Sequence, residues 1–537
     1  MRAVNGKDLT QGPGRRRRSR PRRGPLAAAL LGIALLCCLF VAAAPAGAAA
    51  ADVPAEALLA QLALQQAELT AGDGAAGDYF GYAVALSGET ALVGAVGHAV
   101  AGQAWAGAVY VFTRSAGAWT LQQMLTAADG VAGDWFGISV AISGDTALVG
   151  ALLRHSGGQA DAGAAYVFTR SDGVWTQRQT LTPADVAAGD HFGRSVALSG
   201  DTALVGSPTH DAAGQADAGA AYVFTRSGDT WSPQQTLVAS DGAAEDYLGV
   251  SVALSGDTAV IGALDRDSAG KTDAGAAYLF TRSGGVWTQR QTLTAGDAAT
   301  GDEFGLSVAL SGGTALVGAK GHDIAGQSNA GAAYVFTRSG VAWTQQQRLS
   351  AVNGAAGDEF GFSVALSGDT ALVGAPYRDV GGPVNVGAAF LFTRSGGSWT
   401  LQEMLTADDS AVGDLFGQSV ALSGNTALVG AILRDSGGKA DAGAAYVFVT
   451  VPAPTITKLS PSTGKRGAVV TITGKGFGKK SGASSVKFGA TKCTKYLSWS
   501  ATKITCKVPA KAKFGKLQVT LTTTAGKSNA RSFTVKR

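Results

Sequence analysis

Seven aspartates stand 56 residues apart, at Asp78, Asp134, Asp190, Asp246, Asp302, Asp358 and Asp414. Twenty residues after each comes a group that carries or can take a proton: His98, Arg154, His210, Arg266, His322, Arg378 and Arg434. A third recurring position holds Asp161, Asp217, Asp273 and Asp441, the amides Asn329 and Asn385, and, as the exception, Trp105. Carboxylates and bases gathered on one rim can do two kinds of chemistry. They can cap backbone N–H groups in turns and pair with each other, which is a scaffold role. They can instead offer an acidic edge to cations or to a basic partner. Recurrence in every copy favours the scaffold, because a repeated need belongs to the frame. Exposed pairs of this kind contribute only about 0–1 kcal/mol each.

A selective site belongs where the copies differ. Trp105 breaks the Asp/Asn series, and Lys320, Pro376-Tyr377, Leu152-Leu153 and Ile432-Leu433 differ from one another in the loop after the second strand. Aromatic and leucine side chains on a loop rim can anchor a partner. The candidate ligand-binding residues are therefore Trp105, Lys320, Tyr377, Leu153 and Leu433, with ordinary loop variation as the competing reading. Catalysis has little support. None of the five histidines (His98, His155, His191, His210, His322) lies in a local metal-ligand or nucleophile motif.

The elements that position these residues follow from the repeat. Phe-Gly recurs at Phe80, Phe136, Phe192, Phe304, Phe360 and Phe416, with Leu248-Gly249 filling the gap, so there are seven copies. Within one copy, Phe136–Ser143, Thr146–Leu152, Ala164–Arg170 and Val174–Thr182 read as four strands. Gly144-Asp145 supplies the positive φ of a two-residue hairpin. One four-stranded sheet cannot bury both faces, but seven packed around an axis can. Small residues in the first strand suit an inner channel wall, while Trp and Tyr suit the wider outer wedge. A linear solenoid would need distinct capping repeats, and these copies stay uniform. The seventh copy lacks its Trp-bearing strand, and a spare segment, Leu64-Gln65-Gln66-Ala67-Glu68-Leu69-Thr70, precedes the first Phe-Gly. That segment is expected to complete the last sheet and cover its edge. The fold expected is all-β: a seven-bladed β-propeller closed by its N-terminal strand over 63–450, then a second domain over 454–537.

The charge is unevenly placed. Of the 537 residues, 1–25 carry nine Lys/Arg against Asp8, and 454–537 carry eighteen Lys/Arg with no acid. The stretch between them has 17 basic and 38 acidic residues, a net charge of −21. The N-terminal arginines (Arg15–Arg18, Arg20, Arg22, Arg23) precede an apolar run, Leu26 to Ala44, and then Ala46-Gly47-Ala48. Residues 1–50 thus read as an export signal with an A-x-A cleavage site, followed by a linker over 51–62. The arginine pairs suit a twin-arginine signal. At about 19 residues the run is also long enough to stay as an anchor.

The copies resemble FG-GAP repeats, the blades of the integrin α-chain propeller and of many bacterial surface proteins. The residues that carry the resemblance are Phe-Gly, Ala147–Ala151 and Gly163–Phe168, with Gly206-Ser207-Pro208 and Gly374-Ala375-Pro376. It implies a seven-bladed propeller and adhesion or ligand binding outside the cell. Many members carry an Asp-x-Asp-x-Asp-Gly calcium loop between the first two strands. Here that place holds only Ser143-Gly144-Asp145-Thr146 and its equivalents. Calcium wants six to eight oxygens, so no cofactor is expected, and calcium stays open as an alternative although its usual family loop is absent. After Pro452-Ala453-Pro454, short β-runs separated by Gly and Pro resemble an IPT/TIG domain, an immunoglobulin-like β-sandwich. Cys493 and Cys506 are expected to form a disulfide after export.

The reading is an exported, non-enzymatic binding or adhesion protein, secreted or at the cell surface, with an extracellular protein or polysaccharide ligand. Nucleic acid is not an expected partner, nor is a membrane span after signal cleavage. The basic domain is expected to meet an anionic envelope polymer or its own acidic propeller. A secreted enzyme acting on glycans with the rim as cleft is the alternative, and an envelope structural protein is a third.

Overall fold

The structure, a computed structural model, describes residues 61–537 other than 453, 481, 483, 524 and 525. The expected export segment and nearly all of the linker after it lie outside the described residues. Seven antiparallel four-stranded sheets succeed one another. In the second, Phe136–Ser143, Thr146–Ala151, Ala164–Ser171 and Val174–Leu181 pair in chain order. Gly144 has φ +59° in the first hairpin, and Asp172 and Gly173 are both left-handed in the second, at +50° and +80°. Such turns match the twist of the strands they join. Thr146–Ala151 is buried throughout, whereas Val174–Leu181 alternates. The second strand therefore has blades on both faces, and the fourth has solvent on one.

The apolar clusters lie between blades. Leu92, Val109, Val111 and Leu125 of blade 1 pack with Phe136, Val149, Tyr166 and Trp175 of blade 2. The last interface is built alike: Leu428, Ala445 and Val447 meet Phe80, Val93, Tyr110 and Phe112. Phe136 is fully buried, its ring 5.5 Å from Tyr166 and 6.0 Å from Phe168, both edge-on. The glycine after it has φ +93°, which only glycine adopts readily. Its counterpart in the next blade, Gly193, presses on Gly150, where a Cβ would lie 2.0 Å from the Gly193 carbonyl oxygen. Phe-Gly of one blade and Ala-Leu-Val-Gly-Ala of the one before it are thus two halves of a single joint.

Polar bonds reinforce the joint. The Ser139 hydroxyl donates to Gly193 O at 2.8 Å, and Ser195, Ser251, Ser307, Ser363 and Ser419 do the same toward the following blade. Ser419 donates to Gly81 O, across the closure of the ring. Farther out, Gln123 clamps Trp175 through both its amide atoms, at 2.8 and 2.9 Å.

The ring is closed by Gln61–Leu69, which pairs antiparallel with Ala444–Pro452, setting Gln61 against Pro452 and Glu68 against Tyr446. The Ala63 N–H donates to Glu403 of blade 6, and Gln66 Nε2 donates to Gly117 O of blade 1 at 2.7 Å. The closing strand is therefore held on both sides by the contacts that a fourth strand makes elsewhere.

Residues 455–536 form a two-sheet sandwich. One sheet contains Thr455–Ser460, Val469–Lys475, Lys503–Lys507 and Tyr496–Trp499. The other contains Thr463–Lys465, Arg531–Lys536, Gly515–Thr523, Ser485–Phe488 and Thr491–Lys492, with Gly526–Lys527 beside Gly515–Thr523. Ile456, Ile472, Phe488, Leu521 and Phe533 fill the space between the sheets. The expected disulfide is not formed here. Cys493 and Cys506 are buried free thiols in that core, and the Cys493 thiol is directed at Lys507 O, 3.2 Å away. They pack as small apolar residues with a weak donor.

Candidate functional site

The first strands of the blades are neighbours around the axis. Each begins at the same end of the wheel, where the loop after the second strand returns. All the charged positions singled out in the sequence lie at that end, but they do different work.

The Asp ring is structural. Asp134 Oδ2 accepts the Val131 N–H at 2.9 Å, and the other six make the same bond three residues back. Each also meets its basic partner: His98–Asp78 at 2.8 Å, Arg154–Asp134 at 3.3 Å, His210–Asp190 at 3.1 Å, His322–Asp302 at 3.0 Å, Arg266–Asp246 and Arg434–Asp414 at 3.8 Å, and Arg378–Asp358 in close contact. The seven carboxylates are almost wholly buried. Burial pushes the Asp134, Asp246 and Asp414 carboxyls above the usual range, against the pull of the backbone bond and the arginine. The hydrogen bond to Asp78 raises His98, and that to Asp190 raises His210.

A second acidic ring escaped the sequence reading, although it has the same 56-residue period: Asp73, Asp129, Asp185, Asp241, Asp297 and Asp409, with Asn353 in blade 6. Arg154 meets Asp129 at 3.0 Å and Arg266 meets Asp241 at 2.9 Å. The Tyr110, Tyr334 and Tyr446 hydroxyls donate to Asp73, Asp297 and Asp409. Where blade 6 has Asn353, it has Phe390 in place of that tyrosine.

The third ring is set by backbone. Asp161, Asp217, Asp273, Asn329, Asn385 and Asp441 have φ between +52° and +54°, the left-handed region that Asp and Asn tolerate best. Trp105 sits there too, at +59°.

The residue before each Phe-Gly is also left-handed, with φ between +53° and +57°, yet its type never settles: Tyr79, Trp135, His191, Tyr247, Glu303, Glu359, Leu415. Holding a bulky side chain in this conformation costs about 1–2 kcal/mol at each place. Between these seven, the loops insert further unlike residues. Trp105 stands between Tyr79 (ring centroids 5.5 Å) and Trp135 (5.7 Å, stacked). Lys320 bridges Glu303 at 3.0 Å and Glu359 at 3.8 Å. Tyr377 meets Phe362 edge-on at 6.4 Å. Leu153 is half-buried against a cluster of Val96, Trp135, Ile138 and Leu152. Leu433 is half-buried, its N–H bonded to Asp414 O. Leu152 and Ile432, expected on the exposed rim, are buried, Leu152 in a cluster with Val96, Trp135 and Ile138. The five candidates are thus distributed around one mouth, and the structure brings Trp105 and Leu153 into one cluster. Among the described residues, no group of three or more His, Cys, Asp or Glu is placed to hold a metal ion.

The FG-GAP repeat family matches seven times, at residues 64–112, 119–168, 175–224, 231–280, 287–336, 343–392 and 399–448. The chain belongs to the FG-GAP repeat family. The IPT/TIG domain matches residues 454–535. An FG-GAP propeller with an IPT/TIG domain is the make-up of a binding or adhesion-type protein. No curated protein matches the chain. Among solved structures, a novel fungal alcohol oxidase of the AA5 family, in complex with copper, is similar at a TM-score of 0.41 and 15% identity, over 87% of this chain and 99% of that one. A likeness that weak assigns no site or activity to this FG-GAP protein.

Proposed function

We propose that this is an exported, non-enzymatic binding or adhesion protein that takes an extracellular protein or polysaccharide ligand at the mouth of its propeller. One contrast carries the reading. Elsewhere in the wheel the same side chains recur blade after blade, whereas at the mouth one strained backbone position carries Tyr79, Trp135, His191, Tyr247, Glu303, Glu359 and Leu415 in turn. A scaffold need recurs in every copy, and a recognition surface does not. Mutual contacts hold the surface in shape before a ligand arrives, which lowers the cost of binding. His98, His210 and His322 each bond a buried ring aspartate through Nδ1, at the position where the other four blades place arginine, which suits a part of the frame. The sandwich domain, with eighteen Lys/Arg and no acid, supplies a second attraction toward an anionic envelope polymer.

The test is to present the full chain to arrays of extracellular proteins and polysaccharides, with and without calcium, beside the variant Trp105→Ala/Lys320→Ala/Tyr377→Ala. Binding lost in the variant at unchanged thermal unfolding supports the proposal. Equal binding by the variant, or turnover of a bound glycan, overturns it.

A further inference from the structure

We propose that Arg194 is the anchor of a carboxylate at this mouth, and that the ligand is a glycan bearing uronic acid. The inference rests on the mouth being the ligand surface and goes on to name the ligand's chemistry.

Arg194 lies two residues past Phe192. The equivalent places hold Tyr82, Ile138, Val250, Leu306, Phe362 and Gln418, so it is the one charge in its column. Every other described arginine of the propeller has a carboxylate, hydroxyl or carbonyl partner; Arg170, for example, meets Asp145 at 2.6 Å and Arg178 meets Thr169 at 2.8 Å. Arg194 has no carboxylate within ion-pair distance among the described residues, and its Nε is buried with no hydrogen-bond partner. The side chain is half-buried, and a partly desolvated cation without a counter-ion carries a cost to the fold. A planar guanidinium in that state matches a carboxylate, which it can take through two parallel N–H bonds.

The neighbours narrow the ligand. Tyr82 lies close enough for the Arg194 charge to act on its phenol. Burial dominates there and raises the phenol pKa, so its O–H remains a donor. Thr209 donates its hydroxyl to Gly189 O at 2.6 Å and receives His191 Nδ1–H at 2.7 Å. That leaves His191 Nε2 as an acceptor. Burial lowers the His191 pKa, and the Arg194 charge acts in the same direction, against the opposing pull of Asp161 and Asp190. The ring is therefore neutral at pH 7, and Nε2 can take a hydroxyl hydrogen. Tyr82 also packs against the apolar cluster to which Tyr79 and Trp105 belong. Arg194 thus has a phenol and a neutral imidazole close enough to feel its charge, with an apolar aromatic cluster beside Tyr82. A pyranose with an apolar C–H face, hydroxyls and a carboxylate uses all of these. An acidic side chain of a peptide would use the cation alone.

The experiment is calorimetric titration of the full chain with trigalacturonic acid, its neutral galactose trisaccharide counterpart, and a triglutamate peptide. Wild type is compared with Arg194→Gln, Arg194→Lys and Trp105→Asn, at two salt concentrations. The uronate should bind roughly 10–100-fold more tightly than the neutral sugar, as loss of a hydrogen bond to a charged group would imply. Arg194→Gln should abolish that difference, Arg194→Lys should keep part of it, and Trp105→Asn should weaken both sugars. Absence of trigalacturonate binding overturns the proposal. Uronate binding untouched by Arg194→Gln but weakened by Trp105→Asn removes Arg194 and leaves the mouth. Binding untouched by either variant removes the mouth as well, and places the anion on the basic sandwich domain. Triglutamate binding as tightly, and with the same dependence on Arg194, would overturn the glycan assignment.

Discussion

Leu69, at the end of the closing strand, stands directly across from Ala445 of the last blade and packs in one cluster with Phe80 and Phe112 of the first. One side chain therefore belongs to both ends of the repeat. Leu69→Ala is expected to destabilise the fold by about 2–4 kcal/mol, the usual result of truncating a fully packed leucine. Leu64, on the same strand but 48% exposed, is its control, and Leu64→Ala should change little. Equal midpoints for the two variants in chemical denaturation would show that the closing strand is not integral to the core.

Arginines on the third strands link neighbouring blades. Arg170 meets Asp145 of its own blade, donates to Thr90 of the blade before and lies over the Trp175 ring at 5.1 Å. Blade 5 has Gly313 where the carboxylate belongs, and Arg338 turns to Gly340 O instead. A Cβ at Gly313 would meet nothing nearer than Arg338 Cβ at 3.6 Å. Gly313→Asp is expected to stabilise the protein by about 0.5–1 kcal/mol, from a new ion pair and a stiffer unfolded chain. A lower melting temperature would contradict this.

Trp105→Asn sets frame against function. Asparagine tolerates the left-handed φ of +59°. The relief, about 1 kcal/mol, offsets part of the lost ring stacking and apolar burial. Stability should fall by no more than about 2 kcal/mol while ligand binding falls. A large loss of stability would make Trp105 a core residue and nothing more.

The Tyr–Asp bond of the second acidic ring can be restored in blade 6. Phe390→Tyr alone buries a hydroxyl without the carboxylate that receives it in blades 1, 5 and 7, and is expected to destabilise by about 1 kcal/mol. Adding Asn353→Asp should recover most of that. The coupling energy from a double-mutant cycle is the measurement, and a value near zero would mean that the two positions vary independently.

His98 and His210 give the fold a pH dependence of known sign. Hydrogen bonds to Asp78 and Asp190 raise both above the ordinary histidine value, about 6.5. The protonated ring is favoured in the folded state. Its stabilisation is complete below about pH 6.5 and is lost as pH rises through the higher folded values. The double variant His98→Asn/His210→Asn should therefore lag wild type most at pH 6 and least at pH 9. A stability deficit that does not change with pH would refute the assignment.

Much of the wheel was legible in the sequence because period and alternation report packing directly. The spare strand before Phe80 and the missing one after Phe448 already implied closure. The partnership of Asp134 with Arg154 followed from their common period. Other features depend on quantities that residue types do not encode. The left-handed φ under Asp161 and Asn329 is hidden by Trp105, which occupies the same backbone at a cost. The stacking of Trp105 on Trp135 joins two copies that a column-by-column reading keeps apart. Arg194 is the one charge in its column, but that it has no carboxylate beside it among the described residues shows only in the structure. Cys493 and Cys506 suggested a bond, and the fold keeps them as buried thiols.

Gln61 faces Pro452 at the rim of the closing sheet, so the chain enters and leaves the wheel side by side. Tension applied to those two points would act on the terminal bonds of that strand pair first and peel them apart in succession, as a zip opens. The six other blades would bear almost none of the load. Under a pull between its two ends, the seam would yield at low force while the rest of the wheel kept its shape, ready to shut again when the strain is released.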